Sequence, residues 1–213
     1  AFVSCAHAQG VPQTPGLPPP TQDQIDHGFR DSPLVPDTRW HVHDPDRPQT
    51  PPVAPAARDG GAPADAIVLF DGHDLSAFTR PDGQPADWVI ADGAMSPPRR
   101  SSYKEWASLQ TVQAFGDIQL HLEFRTPAPP AMPEGQMRGN SGVILMGLYE
   151  IQILDSHGNK TYADGQASAI YGQNPPLVNA SRPAGQWQSY DIVFEAPRFD
   201  TRGKLLQPAF VTV

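Results

Sequence analysis

The sequence predicts an all-β fold, a sandwich or jelly roll that follows a proline-rich N-terminal arm. Short apolar stretches recur between Gly- and Pro-containing turns from residue 65 onward, which is typical of small β-sandwiches. One stretch, residues 117–125, alternates strictly between apolar and polar side chains, as a half-buried strand does. No stretch keeps a helical period of about 3.6 residues for more than two turns, which argues against a helical domain.

Proline divides the chain into an arm and a domain. Of the 26 prolines in 213 residues, half lie within residues 1–63, and runs such as Pro18-Pro19-Pro20 favour polyproline II and turns over a packed core. We therefore expect residues 9–63 to form an extended arm and linker, and residues 64–213 to form the β domain. An arm of this composition becomes ordered only by packing on something, so it is a candidate for docking to a larger protein assembly.

Residues 1–8 carry the marks of an export signal. Ala6-His7-Ala8 has the small residues that precede a signal-peptidase cut. The residues before Cys5 also form a lipoprotein box, in which Cys5 would be the lipidated residue. Both alternatives predict a periplasmic or cell-surface protein, and membrane anchoring would come from the lipid or from an uncleaved signal. The sequence has no apolar run that approaches the ~20 residues of a membrane-spanning helix.

Charge and cysteine content exclude several classes of function. With 23 acidic and 15 basic side chains and a formal net charge of −8, the chain lacks the basic footprint of a nucleic-acid-binding protein. Its single cysteine excludes an intramolecular disulfide framework and a cysteine-based zinc site. A site for a divalent metal such as calcium stays open, because oxygen ligands can build one.

The apolar stretches define the predicted strands in order. Residues 66–70 form a short apolar run that ends at the turn Asp71-Gly72, and residues 88–90 are followed closely by a second such turn, Asp92-Gly93. Residues 108–111 form a weaker candidate. The remaining predicted strands are residues 117–125, 140–147, 149–155, 186–195 and 210–213.

Three predicted strands carry polar side chains on the face opposite their apolar one. These side chains are Gln119, His121, Glu123 and Arg125 in the first strand, Glu150 and Gln152 in the second, and Asp191 and Glu195 in the third. If the strands are neighbours, we expect one concave, hydrogen-bonding surface suited to the hydroxyl groups of a sugar. Two carboxylates about 5–10 Å apart on such a surface can cleave a glycosidic bond. An ordinary solvated face is the alternative that alternation leaves open.

Several motifs together resemble the 3-keto-disaccharide hydrolase family from residue 67 to residue 213. They keep the family's order and spacing, and their combination is more specific than any one of them. The main motifs are Leu69-Phe70-Asp71-Gly72, Phe115-Gly116-Asp117-Ile118, Asn140-Ser141-Gly142-Val143, Tyr149-Glu150-Ile151-Gln152, Ala169-Ile170-Tyr171-Gly172 and Gly185-Gln186-Trp187-Gln188. Members of the family continue past a strand like residues 210–213, so we expect the last strands of the domain to be missing from this sequence.

The resemblance implies a concanavalin A-like jelly roll that acts on sugars oxidised at C3. A ketone at C3 acidifies the proton on C2, so that a general base can remove it and the enolate can expel the group at C1. Water then adds to the unsaturated sugar, and the net result is hydrolysis. Such a site needs a base and a group that stabilises the enolate oxygen.

The matching motifs nominate the site residues. Glu150 is the first candidate for the catalytic base, and Glu123 is a second catalytic candidate. The candidates for binding substrate are Gln152, Arg125, Asp155, Asn140, Tyr171 and His121, with Arg125 suited to the enolate. Asp155 could equally cap a turn, Asn140 could belong to an Asn-Ser-Gly turn, and Tyr171 could pack in a loop instead of against a sugar. Trp187 and Tyr190 are expected in the core.

Two other functions are compatible with the same scaffold, because a fold does not fix a function. The domain could be a non-catalytic sugar-binding module. Alternatively, the chain could be an accessory subunit of an envelope or membrane-associated assembly that docks through its arm. A catalytic site predicts clustered carboxylates with perturbed pKa values, a sugar-binding module predicts exposed aromatic platforms, and a subunit predicts arm residues buried against a partner.

Overall fold

The computed structural model describes residues 19–56, 61–98, 107–130 and 134–213. The expected export or lipidation segment, residues 1–8 with Cys5, lies outside the described residues. The chain divides into two compact units, Ala1–Val68 and Leu69–Val213. Within the described ranges, no helix has both the length and the apolar character needed to cross a membrane.

The described part of the N-terminal unit contains one short helix and a series of turns. Helix α1, Gln22–His27, begins at a capping box, in which Thr21 and Gln24 each accept a hydrogen bond from the other's backbone N–H. Further along the chain, Arg30 donates two hydrogen bonds of 2.9 Å to the carboxylate of Asp46. The helix departs from the extended arm that the sequence predicts, because its six residues are too few for a helical period to be visible.

The described part of the C-terminal unit is built mainly from short strands. The first five are β1 Phe78–Thr79, β2 Val89–Ala91, β3 Ala94–Ser96, β4 Gln110–Thr111 and β5 Ile118–Phe124. The others are β6 Ser141–Leu145, β7 Tyr149–Ile153, β8 Gln188–Glu195, β9 Arg198–Phe199, β10 Leu205–Gln207 and β11 Phe210–Thr212. A single 3₁₀ turn, Ala163–Gly165, lies in the long loop between β7 and β8. The strand pairings are antiparallel.

Two β layers enclose the core of this unit. One layer is the sheet β11-β8-β5, and the other is the hairpin β6-β7. Residues 168–171 extend the hairpin, since their backbone groups bond to the backbone of Glu150 and Gln152 over 2.9–3.0 Å. Apolar side chains from both layers form one cluster, which includes Phe124, Leu145, Ile151, Tyr190, Ile192 and Phe194. The predicted all-β, concanavalin A-like jelly roll is thereby confirmed.

Most predicted strands occur close to their expected positions. The period-two stretch forms β5, and Asp92-Gly93 connects β2 to β3 as a turn. Residues 66–70 are an exception, since they form no strand and their Ile67 side chain is largely exposed. β9 and β10 have no counterpart among the predicted strands, because two or three residues are too few to show alternation.

Candidate active site

The outer face of hairpin β6-β7 carries the polar side chains of the Tyr-Glu-Ile-Gln motif. Ile151 is fully buried in the core, so its neighbours Glu150 and Gln152 lie on the opposite face of β7. Gly142 is paired with Gln152 in the hairpin register. A Cβ atom at Gly142 would lie 2.8 Å from the Glu150 Cγ atom and closer still to its carboxylate. The glycine therefore provides the space in which the Glu150 carboxylate rests.

Glu150 is a half-buried carboxylate next to a tyrosine. Burial raises the pKa of Glu150 above its ordinary value, because the charged form loses solvation. The Tyr171 backbone N–H donates to the Glu150 carbonyl at 2.9 Å. Ile170 pairs with Ile151 and packs against the core, so the side chain of Tyr171 emerges on the same face as Glu150. A general base is most effective when its pKa lies near the operating pH, and burial shifts the pKa of Glu150 upward, in that direction.

Gln152 connects Glu150 to two further amides. The Gln152 side chain is fully buried. We orient its amide nitrogen toward the Ser141 carbonyl, at 2.7 Å, and Oε1 of Glu150, at 3.3 Å. The amide oxygen then accepts from Gln136 Nε2 at 2.7 Å and lies 2.9 Å from the atom assigned as Asn140 Oδ1. The Asn140 amide must therefore be turned as well, so that its nitrogen donates to Gln152, because hydrogen-bond partners are the basis on which amide atoms are assigned.

Two tyrosine hydroxyls meet beside this network. The Tyr162 and Tyr171 hydroxyl oxygens lie 2.7 Å apart, and both side chains are partly exposed. The hydrogen bond to Tyr171 is the main reason that the pKa of Tyr162 is raised to about 12, and the negative charges of Asp164 and Glu150 add to it. Either of the two hydroxyls can be the donor in this hydrogen bond.

Asp155 is buried in an ion pair. Its side chain is 1% exposed and accepts from Arg138 Nε at 2.7 Å. The Asp155 backbone N–H also donates to the Arg138 carbonyl, so the pair ties the end of the strand to the preceding loop. The guanidinium balances the charge of this carboxylate, which favours a structural role over binding a cation. Among the described residues, no three His, Cys, Asp or Glu side chains are grouped as metal ligands, and the metal prediction stays a prediction.

The candidates on β5 lie on a different surface from Glu150. Ile118, Leu120 and Leu122 pack against the core, so His121 and Glu123 point outward from the other layer. β5 pairs with β8, whereas β7 pairs with β6. Strands 117–125 and 186–195 are therefore the neighbours that the expected polar surface requires, whereas strand 149–155 lies in the other layer and does not join them, because alternation identifies faces and not the order of strands.

On that second surface, polar groups pair across neighbouring strands. His121 Nδ1 lies 2.6 Å from Asp191 Oδ1, and both side chains are exposed. The Arg125 guanidinium lies 4.9 Å from the centre of the Trp187 ring. Glu123 and Trp187 border an open depression of about 440 Å³. Trp187 is 44% exposed, so its expected place in the core is wrong, whereas Tyr190 is buried as expected.

The structure adds Gln136, Tyr162 and Gly142 to the candidates found from sequence. Gln136 and Tyr162 come from loops, where no periodicity indicates which side chains reach a strand. Gly142 belongs to the Asn-Ser-Gly motif, which is typical of a turn. The structure instead places Ser141 and Gly142 in β6, where Ser141 pairs with Ile153 and Gly142 pairs with Gln152 of β7. The one available signal was the glycine itself, because a glycine within a strand often marks a position where another group approaches the backbone closely.

Proton transfer next to buried amides and hydroxyls is chemistry that carbohydrate-active enzymes use. Fold and site together therefore define a glycosyl hydrolase-like protein built on a jelly roll. The chain belongs to the family of the 3-keto-alpha-glucoside-1,2-lyase-like domain, whose model matches residues 65–207. The family resemblance found in the motifs is thereby confirmed.

Solved structures agree with this assignment. The chain is 43% identical to a candidate glycosyl hydrolase from Parabacteroides distasonis, with a TM-score of 0.69 over 78% of this chain and 69% of that one. A second candidate glycosyl hydrolase from the same organism is 18% identical, with a TM-score of 0.45 over 60% of this chain and 63% of that one. The second similarity is too weak to support a conclusion. Among curated proteins, none matches this chain significantly.

Proposed function

We propose that this protein cleaves 3-keto-glycosides, with Glu150 as the base that removes the proton from C2. The observation that carries the proposal is the half-buried Glu150 carboxylate, whose pKa burial raises, on the outer face of a domain of this family. The network around Gln152 supports the proposal, because the fully buried Gln152 amide donates to the Glu150 carboxylate and holds it in place. Glu123 lies on the other surface and is not expected to act with Glu150.

The proposed reaction has two stages. Glu150 takes the C2 proton, and the electron pair of the broken C–H bond forms the enolate of the C3 ketone. The enolate collapses, a C1–C2 double bond forms, and the aglycone leaves from C1 with a proton from water. The hydroxide that remains takes the proton held by Glu150, which regenerates the base. Water then adds its hydroxyl to C1 and a proton to C2, which completes hydrolysis. The raised pKa of Glu150 suits the first stage, because a stronger base removes a carbon-bound proton faster.

A 3-keto-glucoside with a chromogenic aglycone tests this proposal. We expect the wild-type chain to release the aglycone, and Glu150→Gln to abolish release while it leaves circular dichroism unchanged. Glu123→Gln is the matched control, because it removes a carboxylate from the other surface. Parallel assays with EDTA and with added calcium test the metal prediction. Full release by Glu150→Gln, or loss only in Glu123→Gln, would refute the assignment of the base.

We also propose that the protein is exported and anchored at the periplasmic or cell surface. The support is the sequence of residues 1–8, with its small residues and Cys5. Mass spectrometry of the N-terminal peptide from membranes tests this proposal, with Cys5→Ala as the variant. A lipid-modified Cys5 supports anchoring by lipid, whereas unmodified protein in the cytoplasmic fraction refutes export. Docking of the 9–63 arm to a larger assembly stays a prediction.

A further inference from the structure

We propose that the hydroxyl pair Tyr162–Tyr171 supplies the hydrogen bond that stabilises the enolate oxygen, with Tyr171 donating to substrate and Tyr162 positioning Tyr171. This inference rests on the proposed 3-keto-glycoside cleavage, because only that reaction places negative charge on a sugar oxygen next to Glu150. It assigns to Tyr171 a task different from stacking on the sugar.

The backbone fixes Tyr171 next to the base. Its N–H donates to the Glu150 carbonyl, and its side chain lies on the same face as the Glu150 carboxylate. Glu150 lies in β7, and Tyr171 begins the turn that directly follows Ile170, the residue that pairs with Ile151 of β7. A base and a hydrogen-bond donor at neighbouring positions can contact C2 and the C3 oxygen of one sugar ring, because these atoms belong to adjacent carbons.

The Tyr162 ring is held in place by its contact with the backbone of Gly165. A Cβ atom at Gly165 would lie 2.6 Å from Tyr162 Cδ2 and 2.7 Å from Gln136 Oε1, so the ring packs on a backbone that only glycine leaves open. Gln136 donates to the Gly165 carbonyl at 2.8 Å and accepts from the Thr161 hydroxyl at 2.5 Å. The same Gln136 contacts the amide of Gln152. The position of the Tyr162 hydroxyl is therefore coupled to the network that holds Glu150.

The direction of the hydrogen bond leaves one proton for substrate. A phenol has a single O–H to donate. Either hydroxyl can be the donor in the pair; in the direction that we propose, Tyr162 donates to the Tyr171 oxygen, and the proton of Tyr171 is not needed within the pair. Accepting a hydrogen bond also makes the Tyr171 hydroxyl a stronger donor, since hydrogen bonds in a chain polarise one another. A donor aimed at the oxygen where charge develops stabilises the transition state more than the ground state.

The test separates formation of the enolate from expulsion of the aglycone. Hydrogen exchange at C2 is followed by NMR in D₂O, and aglycone release is followed in the same solution. We expect Tyr171→Phe to slow both by about 10²–10³-fold, the usual loss for one donor to an oxyanion. Tyr162→Phe should slow both to a smaller extent. Tyr149→Phe is the matched control, because Tyr149 packs against the core on the opposite face of β7.

Each other outcome overturns the inference. Slower release with unchanged exchange would make Tyr171 a donor to the leaving group, and unchanged rates for both would leave the pair without a role in the reaction. If wild type is active, Glu150→Gln is inactive and the tyrosine variants match wild type, only this inference fails. An inactive wild type overturns both proposals.

A spectroscopic measurement checks the pair itself, independent of turnover. Tyrosine ionisation is followed by ultraviolet absorbance during titration to high pH. Removing the Tyr171 hydroxyl should move the ionisation of Tyr162 to lower pH, since the hydrogen bond that favours its protonated form is lost. Asp164 and Glu150 are the nearby negative charges in both the wild type and the variant. If the remaining tyrosines of Tyr171→Phe titrate as they do in wild type, the pair does not form and the inference is wrong.

Discussion

Gly142→Ala tests whether the space above Gly142 positions the Glu150 carboxylate. The new methyl group would lie 2.8 Å from Cγ and 2.9 Å from Cδ of Glu150. An ordinary carbon–carbon contact is about 3.5–4.0 Å, so the side chain must withdraw by about 1 Å. A displacement of about 1 Å at a reacting group can cost about 10²-fold in rate. We therefore expect kcat for the 3-keto-glucoside to fall by about 10²-fold.

The same change should have little effect on stability. Glu150 is a flexible side chain at the edge of the site, so it can move without repacking the core. Alanine also restricts the unfolded chain, which stabilises the protein by about 0.4–1 kcal/mol where the backbone allows it. We therefore expect the free energy of unfolding to change by less than about 1 kcal/mol. Activity and stability should respond to this substitution independently.

The assay compares Gly142→Ala with Gly116→Ala. A Cβ atom at Gly116 meets nothing within 4 Å, so this variant changes the composition equally without touching the site. Steady-state kinetics and urea unfolding are measured for both. Wild-type kcat in Gly142→Ala would refute the positioning argument, and so would an equal loss in Gly116→Ala. A large loss of stability in Gly142→Ala would show that Glu150 cannot move as proposed.

Four further outcomes follow from the buried and half-buried groups. Arg138→Met should lower the free energy of unfolding by about 3–5 kcal/mol in urea titrations, because it leaves the buried carboxylate of Asp155 unpaired; no change would show that the pair is dispensable. Tyr190→Phe should cost about 0.5–1.5 kcal/mol in the same measurement, because the Gln152 carbonyl loses the Tyr190 hydroxyl at 2.7 Å and keeps only the Ser168 N–H as a donor; wild-type stability would contradict this. The raised pKa of Glu150 means that its contribution to stability is greatest below the ordinary glutamate pKa and is lost as pH rises through the folded pKa. Glutamine does not titrate, so the difference in free energy of unfolding between Glu150→Gln and wild type should be more favourable to the variant at pH 7 than at pH 4. The same carboxyl should set the acid limb of kcat/KM, and activity should fall as pH falls through its raised pKa; a limb at the ordinary glutamate value would contradict burial as the cause.

Local alternation was enough to predict which face of each long strand is polar. In β7, Glu150 and Gln152 flank the buried Ile151, and the period of two gives this arrangement without a structure. The order of the strands was not predictable in the same way. It depends on long loops that bring distant segments together, and the placement of Glu123 on the other layer follows from that order.

The contacts of side chains in loops were the second feature that the sequence did not predict. Arg138 meets Asp155 across a separation of 17 residues, and no spacing rule connects them. Tyr162 reaches Tyr171 only because the loop folds back at Gly165. The Asn-Ser-Gly motif indicated a turn from local propensity, but pairing with β7 turned it into a strand. In each case a contact between distant residues determined the structure.

The two halves of the site have different freedom to evolve. The proposed base, Glu150, lies on β7, and both of its neighbours in the strand are core residues. A register slip of one residue would therefore point Glu150 into the core and its apolar neighbours outward. The Tyr162 segment belongs to a surface loop, which tolerates insertions and substitutions more readily. Substitutions in this loop could therefore alter the Tyr162–Tyr171 pair while β7 keeps Glu150 on its outer face.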